Sequence, residues 1–367
     1  MSDQLQKFMF NAAPVRGEIV SLRNTWQEVL TRRSYPAPVR AVLGEMMAAC
    51  ALLSANLKFN GTLVMQIYGD GPVKMLVVQC GSDLSMRATA KFAGDLERTV
   101  ERESAAAADE SAADVGVEGG ASGAHPEEGG VGPRPEGSGL GPRPEGSGPG
   151  PWDHMGFAEL INASGHGRCV ITLDPADKQP GQQPYQGIVP LNGVDGPLES
   201  VSQVLEHYMH HSEQLDTRMW LAADRDRAVG MLLQKLPGDG GIVPRNAETD
   251  TDTWERVCTL GGTLSAKELL EVEPEVVFRR LFWQENVQHF EPAGTRFQCS
   301  CSREKVGAML RMLGREEVDS VIVERGHVEI HCEFCNQRYE FDPVDVAQLF
   351  AAPGVETGIA PATEQRH

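Results

Sequence analysis

Apolar and polar residues change rhythm several times along the chain. β-rich runs at Val15–Leu22, 63–68 and 73–80 predict strands, and Gly69-Asp70-Gly71-Pro72 reads as the turn joining the last two. Between them, 24–33 predicts a helix and 38–56 a longer one. The longest apolar run, 46–53, lies in that helix and is flanked by Glu45 and Asn56. It is too short to span a bilayer and reads as a buried helix. Further strands are expected at 169–173, 185–191 and 230–236, with an amphipathic helix over 198–211. Strands grouped around helices predict an α+β protein with an N-terminal α/β core domain over 1–238.

The second part of the chain is punctuated differently. Residues 239–290 open polar and acidic and then turn helical. Ser265-Ala266-Lys267-Glu268 is a capping box ahead of Leu269-Leu270. Pro274 fits the first turn of a helix carrying Val277, Phe278, Leu281, Phe282 and Trp283. Helices this short are marginal without a surface to pack on, so 239–290 is read as a metastable helical linker supported by a neighbouring domain. Over 291–352, Ser302 can cap a helix whose Val306, Met309, Leu310 and Leu313 fall at helical spacing, with Gly314 as its stop. A second short helix over 316–322 ends at Gly326. Residues 328–330 and 339–341 then predict two short strands with a turn between them, and 353–367 a flexible tail.

Composition interrupts this pattern once. From about 104 to 151, Ala, Gly, Glu and Pro dominate, and the octapeptide Gly-Pro-Arg-Pro-Glu-Gly-Ser-Gly occurs at 132–139 and again at 141–148. Such a segment lacks the apolar area to offset its ordering entropy and reads as a disordered insertion in the core domain. The formal net charge is −19, from Asp+Glu 52 against Lys+Arg 33. That balance argues against nucleic acid, whose binding depends on neutralising phosphates. Residues 1–7 lack the apolar core of a signal peptide, and no membrane span is expected. The expected compartment is therefore a reducing cytoplasm, where paired cysteines favour metal or redox duty.

Four of the eight cysteines carry the chemistry. They form Cys299-Ser300-Cys301 and, about thirty residues later, Cys332-Glu333-Phe334-Cys335. Each close pair can present two sulfurs from one tight turn, half of a tetrahedral thiolate site, and the intervening helices can fold back to join the halves. One zinc ion on Cys299, Cys301, Cys332 and Cys335 is the expected resting state. Four unrelated buried cysteines are the plain alternative. A thioredoxin-like role for Cys332 and Cys335 is the redox alternative, but that motif opens a helix, and here a strand is expected to follow. His331 is a competing ligand candidate, although its place beside Cys332 on a strand points it to the other face. Cys50, Cys80, Cys169 and Cys258 are scattered. Gly69-Asp70-Gly71-Pro72 lacks the residues of a phosphate-binding loop.

Taken in order, these motifs resemble those of the redox-regulated bacterial heat-shock holdases, the 33 kDa chaperonin family. The residues are the two cysteine pairs, Leu57-Lys58-Phe59-Asn60-Gly61, Gly69-Asp70-Gly71-Pro72, Tyr185-Gln186-Gly187, Ser212-Glu213-Gln214 and Gly230-Met231-Leu232-Leu233-Gln234. The insertion is foreign to that pattern, and Asp216 stands where the family usually has a proline. The resemblance implies an ATP-independent chaperone rather than an enzyme, inactive while reduced and zinc-bound. It further implies that oxidation joins Cys299 to Cys301 and Cys332 to Cys335, releases zinc and unfolds the C-terminal domain and linker. The oxidised form would bind unfolding client proteins, as a homodimer. A thiol-disulfide oxidoreductase and a constitutive zinc-stabilised interaction protein remain the competing functions.

Overall fold

The computed structural model describes residues 3–57, 60–93, 154–178, 181–237 and 252–351. The 104–151 insertion, the 353–367 tail, residues 239–251 of the linker, and Lys58 and Phe59 lie outside the described residues. Two compact units are present, Met1–Gln298 and Cys299–His367.

The first unit is built around one buried helix. After β1 (Gln4–Phe10), β2 (Val15–Leu22) and α1 (Asn24–Arg32) comes α2 (Ala37–Ser54), with twelve residues buried, from Val39 to Ser54. It is long and apolar enough to cross a membrane, at a mean hydropathy of 1.4, but apolar residues on all sides also suit a helix packed within protein. The helix meets β2 and strands β10 (Thr217–Ala223) and β11 (Ala228–Lys235) on one side. On the other it meets β3 (Gly61–Tyr68), β4 (Val73–Gly81) and β5 (Ser85–Phe92). Its Leu43, Met46, Met47 and Leu52 join Leu22, Met65, Leu76 and Leu232 in a single core.

Between β5 and β10 the described chain forms α3 (Phe157–Ile161), β6 (Arg168–Pro175), β7 (Tyr185–Pro190), the small hairpin β8 (Asn192–Gly193) and β9 (Gly196–Pro197), and α4 (Val201–His211). Strands β12 (Val287–His289), β13 (Ala293–Gly294) and β14 (Arg296–Phe297) lie further on. One sheet runs β10-β11-β2-β1-β12, with β13 also on β1. The other runs β14-β5-β4-β3-β6-β7. Every ladder is antiparallel except β14 on β5.

The Gly69–Pro72 stretch is a structural joint. A Cβ on Gly69 would lie 2.2 Å from the Val73 carbonyl oxygen, and one on Gly71 2.5 Å from that of Leu160. Asp70 accepts hydrogen bonds from the backbone N–H groups of Ser164 (3.1 Å) and His166 (2.8 Å), tying the β3–β4 turn to the chain entering β6. The turn reading holds, and its glycines are explained by close backbone approach.

The helices after residue 252 rest on the outer face of the first sheet. They are α5 (Thr253–Gly262), α6 (Ala266–Glu271) and α7 (Pro274–Phe282). Ser265 and Glu268 form the anticipated reciprocal cap. Val257, Leu269, Val277, Leu281 and Phe282 pack against Phe8, Phe10, Val15, Ile19, Met231 and Leu233 of the strands. Phe8 meets Phe278 edge-on at 4.7 Å, and Phe10 meets Phe282 at 5.3 Å. Gly17 clears the way, since a Cβ there would lie 2.1 Å from the Phe8 ring. Of the aromatic residues on α7, Phe282 is buried, whereas Trp283, just after the helix, is 71% exposed.

The second unit has α8 (Arg303–Leu313), α9 (Arg315–Arg325), the hairpin β15 (Val328–His331) and β16 (Arg338–Phe341), and α10 (Pro343–Ala351). Ser302 caps α8 by accepting from the Lys305 N–H, and Gly326 ends α9 at φ 79°. The buried core is small: Leu310, Val318, Val328, Phe341 and Val346.

Candidate metal centre

Local structure brings each cysteine pair to a point. Cys299 and Cys301 lie just before the α8 cap. Cys332 and Cys335 lie on the β15–β16 turn, where Asn336 takes a left-handed conformation at φ 56° that Asn tolerates better than most residues. The turn is closed by Cys332 N–H donating to the Gln337 carbonyl (3.0 Å) and Asn336 N–H donating to that of Cys332 (2.9 Å). Pairing of β15 with β16, and packing of α8 and α9 on the hairpin, supply the return path between the halves.

The four sulfurs all lie within 4.8 Å of one another. Cys299 Sγ is 3.7 Å from Cys332 Sγ, and Cys301 Sγ is 3.3 Å from Cys335 Sγ. A tetrahedron with metal–sulfur bonds of ~2.3 Å has edges of about 3.7 Å. Both separations join one half to the other, as a shared metal requires. Four cysteines are thus positioned to bind a metal ion.

Electrostatics point the same way. Burial pushes the Cys332 and Cys335 thiols up; the Cys301, Cys299 and Cys332 thiols add to the rise at Cys335, whereas at Cys332 the Cys299 thiol raises and the Cys335 thiol lowers. The backbone N–H groups of Phe334 and Cys335 oppose it at Cys332, and that of Gln337 opposes it at Cys335. The turn is therefore lined with donors for thiolate, while the crowding of sulfurs favours ionisation only alongside a cation. Tyr339 donates its hydroxyl to Cys301 Sγ at 3.1 Å, and that contact raises its own pKa. Sequence reasoning missed Tyr339. Its only signal was its place in the strand after the cysteine turn.

The other named residues lie elsewhere. His331 Nδ1 is 3.2 Å from Asn336 Oδ1 and its Nε2 2.8 Å from Glu329 Oε1, so both ring nitrogens are engaged away from the sulfurs. Cys50, Cys80 and Cys169 are buried in the first unit, and Cys258 is half-buried. Burial pushes Cys169 up to about 12 and Cys258 up to about 11, the inert end of thiol behaviour.

Comparison with known proteins matches residues 3–342 to the profile of the Hsp33 protein family. The 33 kDa chaperonin of Methylobacillus flagellatus is 40% identical over 359 residues, covering 98% of each chain. That of Chromobacterium violaceum is 42% identical over 366 residues, covering 100% of this chain and 98% of its own. The crystal structure of the 33 kDa chaperonin from Thermotoga maritima aligns with a TM-score of 0.64 at 22% identity, over 95% of this chain and 98% of that one, a likeness of fold.

Proposed function

Because this chain belongs to the Hsp33 protein family, we propose that it is a cytoplasmic, ATP-independent holdase, switched on by oxidation of a zinc-bound cysteine centre. A chaperone's task is to hold unfolding client proteins, and no chemical turnover is needed for it. Membrane and nucleic-acid partners form no part of this reading. The observation that carries it is the sulfur geometry.

Four thiolates of this spacing suit Zn²⁺, which on binding contributes folding free energy on the order of 10–16 kcal/mol in small modules. A disulfide needs its sulfurs at about 2.05 Å, so metal binding and disulfide formation by the same cysteines exclude each other. Oxidation by peroxide would join Cys299 to Cys301 and Cys332 to Cys335. Each bond takes two electrons from two thiolates, and each peroxide takes up those electrons and two protons to become two waters. The small core of the second unit then has little to hold it.

Client capture needs apolar surface. The outer face of the first sheet, with Phe8, Phe10, Val15, Ile19, Met231 and Leu233, is such a surface, now covered by α5 to α7. Release of these helices, rather than exposure of Trp283 alone, is the step that would open it. The active form is proposed to be a homodimer. The oxidoreductase alternative is disfavoured, because a strand rather than a helix follows the Cys332–Cys335 turn.

The test compares suppression of client aggregation by reduced, peroxide-treated and re-reduced protein, with metal counted by native mass spectrometry. Expected are one zinc and low holding when reduced, no zinc and high holding when oxidised, and reversal on reduction. Cys332→Ser should lose the metal and His331→Ala keep it. Holding that ignores peroxide would support the constitutive module instead.

A further inference from the structure

Three histidines crowd the last turns of α4. His207, His210 and His211 stand at i, i+3 and i+4, so His210 and His211 each neighbour His207 on the helix surface. Ring centroids are 4.2 Å apart for His207 and His211 and 5.0 Å apart for His210 and His211. All three line an open cleft of about 510 Å³ that also includes Asp216, Arg218 and Trp254. Core packing is left to other residues of α4, namely Val201, Val204, Leu205, Tyr208 and Met209. Burial, and then the neighbouring His211 and His210, lower the pKa of His207, which favours the neutral imidazole that ligates metals at that position.

A second observation concerns Asp216. Its Oδ1 is 3.2 Å from His210 Nδ1. A carboxylate on one imidazole nitrogen fixes the tautomer and leaves the other as an oriented ligand, as is usual behind metal-bound histidines. The Arg218 guanidinium on the same cleft is paired with Glu206 at 2.9 Å, which offsets its repulsion of an incoming cation.

We propose that His207 and His211, with His210 oriented by Asp216 as a third ligand, form a second metal site on the first unit, for a borderline divalent transition ion such as Zn²⁺. Among the described residues only the four cysteines already gather their ligand atoms within 4.8 Å. The imidazoles must rotate to share an ion. His211 is exposed and free to do so, and His207 faces the open cleft, while His210 is exposed with its Nδ1 on Asp216. That ordering makes the site weaker than the cysteine centre. A bound ion would link the end of α4, through His210 and Asp216, to the chain entering β10.

The test uses full-length reduced protein already saturated with one equivalent of Zn²⁺. Further Zn²⁺ is added near neutral pH, with native mass spectrometry counting ions and calorimetry measuring affinity. A second ion is expected, with its affinity at least tenfold lower in His211→Gln and lost in the His207→Gln/His211→Gln double variant. Imidazole resonances of His207 and His211 should move with this second equivalent. Cys299→Ser should remove the first ion and spare the second, so failure of the cysteine assignment and failure of this one are distinguishable. Circular dichroism confirms that the double variant is folded. A count that stays at one, or a second ion held equally well by the folded double variant, overturns the proposal.

Discussion

At the scale of the residue, carboxylates in α2 and just before β1 show how surroundings shape stability. Glu45 sits in the apolar stretch of α2, and desolvation pushes its carboxyl up to about 7. The unfolded value is about 4.3, so folding favours the neutral acid. Its contribution is fully present below the unfolded pKa and is lost as pH rises through about 7. Glu45→Gln keeps the shape and removes the charge. It is expected to stabilise the first unit at pH 8.5 by on the order of 1–3 kcal/mol and to have little effect at pH 4. Urea melts at the two pH values measure this, and equal effects at both would contradict it. Asp3 acts differently, accepting from the N–H groups of Arg23, Asn24 and Thr25 at the start of α1, where Arg23 itself supplies no side-chain cap.

At the scale of the element, α7 covers part of the sheet face proposed to receive clients. Its Pro274 start, and the Val277, Leu281 and Phe282 stripe, dock it on β1 and β2. Phe282 is 1% exposed and contacts the rings of both Phe8 and Phe10. Removing a buried Phe side chain costs about 3–5 kcal/mol, more than a nine-residue helix can supply from propensity alone. Phe282→Ala is therefore expected to loosen α7 and raise holding activity in the reduced, zinc-bound protein. Aggregation assays with the zinc count unchanged would show this. If the variant stays inactive although exchange shows α7 open, the covered sheet face is not the client surface.

At the scale of the whole molecule, the two units differ in what holds them. The first has a core spread over two sheets and α2, whereas the second has, among the described residues, a core of five buried apolar side chains and a cysteine cluster. Oxidation and metal loss are therefore expected to have unequal effects. Hydrogen exchange on oxidised protein should show protection lost across 303–351 and 253–282 but kept in α2, β3 and β4. Protection surviving across 303–351 would exclude activation by unfolding. β13 and β14 belong to the first unit, where they pair with β1 and β5.

Signals a few residues long were enough to read much of this protein. The caps at Ser265 and Ser302, the stops at Gly314 and Gly326, the buried run of α2 and the two cysteine spacings all act between chain neighbours, where sequence separation and spatial separation agree. Membership of the Hsp33 protein family was legible from those spacings and the motifs before them. Tertiary structure decided what depends on distant partners. Gln4–Phe10 does not alternate cleanly, and becomes a strand because β2 and β12 offer their edges. β12, β13 and β14 are too short to have a pattern of their own. The support for α5 to α7 proved to be the first sheet, since an amphipathic stripe states that a partner is needed without saying which. Likewise each cysteine pair announces half a tetrahedron, but only the packing of α8 and α9 on the β15–β16 hairpin brings the halves within 4.8 Å.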